Sequence, residues 1–138
     1  MRVTVKIERQ ENYKKLKRDV AKTLRSVIIY GINETRNTAI ENISRGNKSG
    51  KVYEKYNPRR SHKASAVGEY PATDTGFLVN NITTKLQPNG LEGEVVSRAD
   101  YSSHLEFGTS KMGARPFMQP SLEQTRPKIR RRIKRLIK

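Results

Sequence analysis

The two histidines are the first residues to consider for chemistry, because an imidazole can ligate a metal or transfer a proton. His104 and Glu106 lie two residues apart, a spacing that points the two side chains to different sides of a helix. His62 lies far away in the chain and brings no second ligand. We therefore expect His104 to be a packed or hydrogen-bonded residue, and we predict no metal and no other cofactor.

Catalytic pairs of other kinds are also missing from the sequence. Ser102 and Ser103 lack the Gly-x-Ser-x-Gly turn that exposes a nucleophilic serine. The chain has no cysteine, which excludes a thiolate nucleophile, thiolate metal sites and disulfides. Four scattered carboxylates show no acid–base spacing: Glu69, Asp74, Asp100 and Glu106. We predict that the protein is not an enzyme, and a nuclease or other hydrolase has no candidate catalytic residues.

Positive charge is the strongest chemical feature. The 138 residues include 29 Lys and Arg against 13 Asp and Glu, a formal net charge of +16. Such an excess favours polyanionic partners. A solvated helix face that complements the negative end of the helix dipole is the alternative for the C-terminal cluster. The predicted contacts to DNA in a channel or to an acidic partner are Lys128, Arg130, Arg131, Arg132, Lys134 and Arg135.

The sequence predicts that any DNA contact is made to the backbone, because it contains no zinc finger, basic zipper or RNA-binding aromatic motif. A second basic cluster lies near the N-terminus, and we expect it to be the solvated face of a helix: Lys14, Lys15, Lys17, Arg18, Lys22 and Arg25.

A long helix must position the N-terminal cluster. Val3, Val5 and Ile7 alternate with polar residues and predict a short strand before it. From about Glu11 to Ser44 the apolar and small residues then recur every three or four positions, which predicts one helix of roughly 50 Å. The repeating positions are Tyr13, Leu16, Val20, Leu24, Val27, Gly31, Thr35, Ala39 and Ile43. Because such a helix is too long for a small domain to cover, part of this stripe should contact another chain.

The segment from Gly46 to Pro71 is rich in small and basic residues. Six basic residues and one acid lie between Lys48 and Lys63, and we predict a mobile basic loop or a hairpin that becomes ordered on assembly. Tyr53 and Tyr56 are expected to anchor this loop rather than to stack on bases.

The second half of the chain predicts short elements. The segment Thr73–Gly76 should cap a helix that carries Phe77, Leu78 and Ile82. Strands 82–86 and 91–97 should pair through a turn at residues 89–90.

A further short helix should begin after Asp100 and end with Gly108 in a left-handed conformation. A C-terminal helix from Pro120 to Lys138, kinked or restarted at Pro127, completes the prediction.

Two aromatic blocks are predicted to form the structural core motif. We expect Phe107 and Phe117 to anchor the two ends of the Gly108–Gly113 loop in one core, and Arg115 to pair with Glu106. The motif residues are Tyr101, Leu105, Glu106, Phe107, Gly108, Arg115, Pro116 and Phe117.

These blocks carry a family resemblance. Gly68-Glu69-Tyr70-Pro71-Ala72, Thr75-Gly76-Phe77-Leu78, Leu105-Glu106-Phe107-Gly108-Thr109 and Ala114-Arg115-Pro116-Phe117 follow one another in residues 64–120, about 40% of the chain. In this order they resemble the neck proteins of tailed bacteriophages, which are head–tail connector or tail-completion components often described as minor tail proteins.

The resemblance implies a virion structural protein made in the host cytoplasm and placed at the junction of head and tail. It would form a homo-oligomeric ring, contact the adjacent head-completion or connector and tail proteins, and let genomic DNA pass through transiently. Charge alone supports the alternative, a nucleic-acid-binding protein without sequence specificity.

Composition limits the size of the core. Leu, Ile, Val and Phe are 30 of 138 residues, or 22%, so the core must be small. The longest apolar run is Val27 to Tyr30, far short of the ~20 residues that cross a bilayer, and the N-terminus carries no apolar signal core. We predict one α+β domain over residues 1–138, without a membrane partner: a long N-terminal helix on a small, mainly antiparallel sheet, with short helices and a basic C-terminal helix.

Overall fold

The computed structural model describes residues 9–137, and the side chains of residues 13–137. Helix α1 spans Arg9–Arg45, 37 residues or about 55 Å, which confirms the predicted long helix. Its buried positions recur every fourth residue at Val27, Gly31, Thr35, Ala39 and Ile43. The predicted strand at residues 3–7 lies outside the described residues.

The strands form two antiparallel hairpins. Strand β1, Val52–Tyr56, pairs with β2, Arg59–Lys63, and strand β3, Ile82–Leu86, pairs with β4, Gly93–Ser97. The second hairpin packs against α1. The α+β class is therefore confirmed, although the strands are divided between two separate sheets instead of forming one.

The β3–β4 connection is a six-residue loop rather than a tight two-residue turn. Gly90 has the positive φ that was expected there, 70°. The Asn89 side-chain oxygen accepts a hydrogen bond from the Leu91 N–H at 2.9 Å, and the Gln87 N–H donates to the Glu92 carbonyl at 3.0 Å. These bonds hold Leu91 and Glu92 in the loop, so β4 begins two residues later than predicted.

Of the two predicted helix caps, the one before α2 is partly confirmed and the one before α3 is wrong. Helix α2, Phe77–Asn80, begins after Gly76 with φ 78°, and the Thr75 hydroxyl accepts a hydrogen bond from the Phe77 N–H at 3.4 Å. Helix α3, Ser102–Phe107, begins after Tyr101, and Asp100 does not cap it. Gly108 ends α3 with the expected positive φ of 76°, but its ψ of 179° gives an extended mirror-image backbone rather than a left-handed turn.

Helix α4 spans Met118–Ile137 and contains Pro127 without interruption. Of the kink or restart predicted at this proline, the restart is therefore wrong, and the kink stays a prediction. Contacts to α1 from Thr125 and from Ile129, on both sides of Pro127, hold the helix against α1. Pro127 itself is exposed, so the carbonyl group one turn earlier, which loses its N–H partner, faces a solvated side of the helix.

Helices α1 and α4 run antiparallel in a constant register. Asn42 donates to Gln124 at 3.1 Å, and the buried hydroxyls of Thr35 and Thr125 lie 2.9 Å apart. Closer to the N-terminus of α1, Gly31 faces Ile129. The central core lies beside this seam and contains Ala39, Ile43, Leu78, Ile82, Ala99 and Phe117. Within residues 9–137, no helix is both long and apolar enough to cross a membrane.

Candidate functional site

The two motif phenylalanines lie in opposite environments. Phe117 is 1% exposed and belongs to the core, whereas Phe107 is 82% exposed. The expectation that both rings share one core is therefore wrong. Phe107 is the last residue of α3, and the extended turn at Gly108 directs the chain back to the core without it. A large exposed aromatic ring on this loop is available to a partner.

Glu106 caps helix α4. Its carboxylate accepts hydrogen bonds from the backbone N–H groups of Phe117 at 2.8 Å, Met118 at 3.0 Å and Gln119 at 3.0 Å. These donors have no partner within the helix, and a negative charge there is favoured by the helix dipole. The predicted Glu106–Arg115 pair is therefore wrong, because Glu106 is used at the start of α4.

Arg115 instead joins the motif to the preceding loop. Its Nε donates to the Ser65 carbonyl at 3.1 Å, and its backbone N–H donates to the Leu105 carbonyl at 2.7 Å. The Gly68 N–H donates to the Ala114 carbonyl at 2.9 Å. Three of the four blocks that carry the family resemblance, those at residues 68–72, 105–109 and 114–117, thus form one hydrogen-bonded unit that leads through Pro116 into α4.

The remaining motif residues support this unit from α3. Leu105 is partly buried against the core, and the Tyr101 ring lies 6.2 Å from the Phe77 ring. His104 is exposed, so of its two expected roles, packed or hydrogen-bonded, the packed one is wrong. Among the described residues no group of three or more potential ligand side chains could hold a metal. In this motif scaffold the Glu106 carboxylate and the Arg115 guanidinium are both bound to backbone atoms.

A basic cleft of about 490 Å³ lies where α4 crosses α1. It is lined by Tyr30, Glu34, Lys128, Arg131, Arg132 and Arg135. The α1 residues of this cleft were missed in the sequence, although Tyr30 and Glu34 are four residues apart and therefore share a helix face. That spacing could have predicted their place in the cleft, because one face of α1 must pack against the basic helix α4.

The six predicted C-terminal cations fall into three groups of two, according to what each side chain contacts. Lys128 forms an ion pair with Glu34, which raises the pKa of the lysine through a side-chain hydrogen bond. The Arg132 guanidinium lies 4.5 Å from the centre of the Tyr30 ring, a cation–π contact. Arg131 and Arg135 line the same cleft and have no ion-pair partner among the side chains of residues 13–137.

Arg130 and Lys134 are exposed and do not line the cleft. The cleft can therefore bind an anion with Arg131 and Arg135 while Lys128 and Arg132 hold its walls in place. The predicted apolar stripe of α4 becomes progressively more exposed towards the C-terminus: Ile133 is 37%, Leu136 45% and Ile137 80% exposed.

An apolar groove of about 400 Å³ lies on another side of the α1–α4 pair. Its walls include Ile28, Ile32, Val95, Leu122, Ile129 and Ile133. Gly93 allows the close approach of β4 to α1, because a Cβ at this position would lie 2.7 Å from a methyl carbon of Ile32. The groove is an open, apolar surface of the kind that binds a protein or another apolar partner.

The basic segment 46–71 contains the β1–β2 hairpin, which is tied to the body of the protein through Asp74. The Asp74 carboxylate forms ion pairs with Lys55 and, at 2.9 Å, with Arg60. The expected anchors, Tyr53 and Tyr56, are 52% and 77% exposed, so that interpretation is wrong. Asp74 thus serves as the anchor, and the mobility of the segment remains a prediction.

We expect Asp74→Asn to speed proteolytic cleavage of the hairpin in the isolated protein. The pKa of Asp74 is lowered, and the hydrogen bond from Lys55 is the largest cause. The ionised carboxylate therefore stabilises the closed hairpin at neutral pH. Such a contribution is complete above the ordinary carboxyl pKa and is lost as the pH falls through the lowered value.

Limited proteolysis between pH 3 and pH 8 would test this, since cleavage of the native chain should approach that of Asp74→Asn only at the acid end. Asp100→Asn is the control, because it removes an exposed carboxylate elsewhere. Equal cleavage of the native chain and Asp74→Asn at neutral pH would contradict the anchoring role.

Comparison of the chain with protein-family models, curated proteins and solved structures finds no match in any of the three. The described residues present a motif scaffold, a basic cleft and exposed apolar surfaces on α1, α3 and the groove.

Proposed function

We propose that the protein is a non-enzymatic structural component of a tailed-bacteriophage virion, forming a homo-oligomeric ring at the head–tail junction. In this role it would contact the adjacent head-completion or connector and tail proteins. Genomic DNA would pass through the ring. The proposal joins the family resemblance of residues 64–120 to the surfaces that the fold leaves exposed.

The observation that carries the proposal is the incomplete cover of α1. The same apolar repeat that is buried from Val27 to Ile43 continues towards the N-terminus, where Tyr13 is 66%, Leu16 61%, Val20 49% and Leu24 48% exposed. A repeat of this kind at a surface marks an interaction site. An assembling subunit needs such a surface, whereas an isolated monomer gains nothing from it.

The motif scaffold supports the same role. Its Glu106 and Arg115 groups are engaged by backbone atoms, so they position α4 and the exposed Phe107 ring rather than transform a substrate. Fixed geometry at a subunit boundary is what a ring component requires.

The proposal is tested by removing the protein from the particle. In the phage that encodes this chain, disruption of the gene should leave heads and tails unjoined in electron micrographs, and a plasmid copy should restore joined particles. Mass spectrometry of purified virions should detect the protein. Normally joined particles without it would refute the virion role.

A sequence-nonspecific nucleic-acid-binding protein is the second candidate, favoured by the two free arginines of the basic cleft. A ring around passing DNA should bind it weakly, because tight binding would stall the genome. We therefore expect weak, sequence-indifferent binding that is largely lost near physiological salt.

A salt titration of DNA binding separates the two candidates. If the cleft binds phosphates, Arg131→Ala with Arg135→Ala should reduce the slope of log K against log salt by about 1.8, about 0.9 for each contact. Arg130→Ala with Lys134→Ala removes the same charge outside the cleft and serves as the control. Submicromolar binding at physiological salt that depends on the cleft, in a protein dispensable for head–tail joining, would favour the second candidate.

A further inference from the structure

The chain has two open apolar surfaces, one convex and one concave. The first, which we name the α1 stripe, consists of Tyr13, Leu16, Val20 and Leu24 on one convex helix face. The second is the apolar groove, a concave surface between α1, β4 and α4. Both are open in the single chain, and contiguous exposed apolar surface of this kind marks an interaction site.

The register of α1 against α4 shows why the stripe is left uncovered. Thr35 lies opposite Thr125, and Gly31 lies opposite Ile129. Continued at this antiparallel register, the described end of α4 at Ile137 reaches only as far as about Leu24. Tyr13, Leu16 and Val20 project beyond it, so helix α4 of the same chain does not cover them.

We propose that the α1 stripe of one copy docks in the apolar groove of a second copy. This inference rests on the ring assigned under the proposed function and specifies the contact that builds it. Because stripe and groove are different surfaces, the contact is head-to-tail, and each subunit keeps one free stripe and one free groove for the next. A head-to-tail contact closes into a ring when its rotation divides a full turn.

Charge favours the groove of a second copy, and not its stripe, as the surface that binds the α1 stripe. Six exposed cations and one acid, Asp19, flank the stripe between Tyr13 and Arg25, so stripe-to-stripe pairing would bring two strongly positive faces together. The groove walls differ in charge from end to end. The acids Glu92 and Glu123 adjoin Gly93 and Leu122, whereas four cations flank Ile129 and Ile133: Lys128, Arg130, Arg132 and Lys134. A stripe that docks at the Gly93–Leu122 end can pair its cations with Glu92 and Glu123, whereas a second stripe offers only Asp19.

The groove also offers the spacing that a helix stripe needs. Leu122 and Ile133 are 39% and 37% exposed on α4, three helical turns apart, and Ile28 and Ile32 lie one turn apart on the facing wall. The stripe repeats every three or four residues over the same length. The ridge formed by the α1 stripe of one copy can therefore enter the groove between α1 and α4 of the other copy, as in ordinary helix packing.

Salt distinguishes this contact from docking on an acidic partner. Copies with a net charge of +16 repel one another, and their apolar contact should strengthen as salt screens the repulsion. An acidic protein bound through the basic residues beside the stripe would instead dissociate with added salt. Self-association that rises between 50 and 500 mM salt supports the second copy as occupant, and self-association that falls over this range contradicts it.

Crosslinking tests the contact directly, since the chain has no native cysteine. Leu16→Cys with Leu122→Cys in one chain should give a ladder of linked copies with a short bis-maleimide. Each single variant should give little product. Within one chain Leu122 packs beside the C-terminal half of α1, far from Leu16, so a link must join two copies. Strong dimers from Leu16→Cys alone would show stripe-to-stripe pairing and overturn the proposal.

Charge substitution gives a second measurement that does not depend on the linker. Leu16→Glu should weaken self-association at least about tenfold, because docking would bury an unpaired carboxylate. Lys17→Glu is the matched control: it lies next along the chain, is exposed, and changes the charge by more, yet should retain assembly. Circular dichroism should show both variants folded, since both side chains are exposed.

The outcomes separate this inference from the proposed function. Rings that form without the Leu16–Leu122 link and tolerate Leu16→Glu would overturn the docking contact and leave the ring intact. A docking contact confirmed in a protein that is absent from virions would refute the neck role alone. A chain that stays monomeric at every salt concentration would overturn the docking contact.

Discussion

Phe117→Ala is expected to lower the free energy of unfolding by about 3–5 kcal/mol, the usual effect of removing a fully buried ring. Phe117 is 1% exposed and lies in the central core with Ile43 and Ile82. A loss of this size is a large fraction of the stability of a small domain. Chemical denaturation followed by circular dichroism would measure it.

Phe107→Ala is the matched control for that substitution. Its ring is 82% exposed, so the isolated subunit should lose less than about 0.5 kcal/mol. The same change should weaken assembly if the ring is covered by a partner. A large loss of stability in the isolated subunit from Phe107→Ala, or a small one from Phe117→Ala, would contradict the placement of the two rings.

Gly108→Ala is expected to destabilise the protein by about 2–5 kcal/mol, because strain and collision act together. The residue has φ 76° and ψ 179°, a region that glycine alone occupies readily. A Cβ there would lie 2.9 Å from both the Ala114 nitrogen and the Met112 oxygen. Since both are backbone atoms, the collision cannot be relieved by the movement of a flexible side chain and requires the main chain to shift.

Gly68→Ala separates strain from collision. Gly68 also has a positive φ, 82°, but a Cβ there would meet nothing within 4 Å. We expect a loss of about 1–2 kcal/mol from backbone strain alone. In thermal denaturation, Gly108→Ala should therefore unfold at a clearly lower midpoint temperature than Gly68→Ala. Equal losses of stability in the two variants would contradict the collision at Gly108.

The elements that the sequence predicted correctly are those defined by local periodicity. The step of three or four residues located α1 to within two residues at each end, and the strand predicted at residues 82–86 has the observed bounds of β3. Gly90 and Gly108 were correctly expected at positive φ. In each case the information lies within a few neighbouring residues.

The errors concern side chains whose partners lie far along the chain. Asp74 was expected to cap the helix beside it but pairs with Lys55 and Arg60 of the hairpin. Glu106 was expected to pair with Arg115 but caps α4. Charged groups bind whichever donors the fold brings near, and local sequence does not specify which those are.

The candidate site divides in the same way. The basic residues of α4 were named from composition alone, yet their division into structural and free cations depends on Tyr30 and Glu34, almost 100 residues earlier. The two motif phenylalanines look equivalent in sequence. Only the direction of the chain after Gly108 places one inside and the other outside.

The antiparallel seam between α1 and α4 imposes an order on biosynthesis. The hydroxyl groups that meet across it belong to residues 90 positions apart, so at ~5–20 residues per second Thr125 is added roughly 5–20 s after Thr35. During that interval the nascent α1 lacks the helix that later covers its central turns. A neighbouring nascent chain or a chaperone can occupy those turns first, so the rate of translation across the middle of the gene should influence how much protein reaches the native fold.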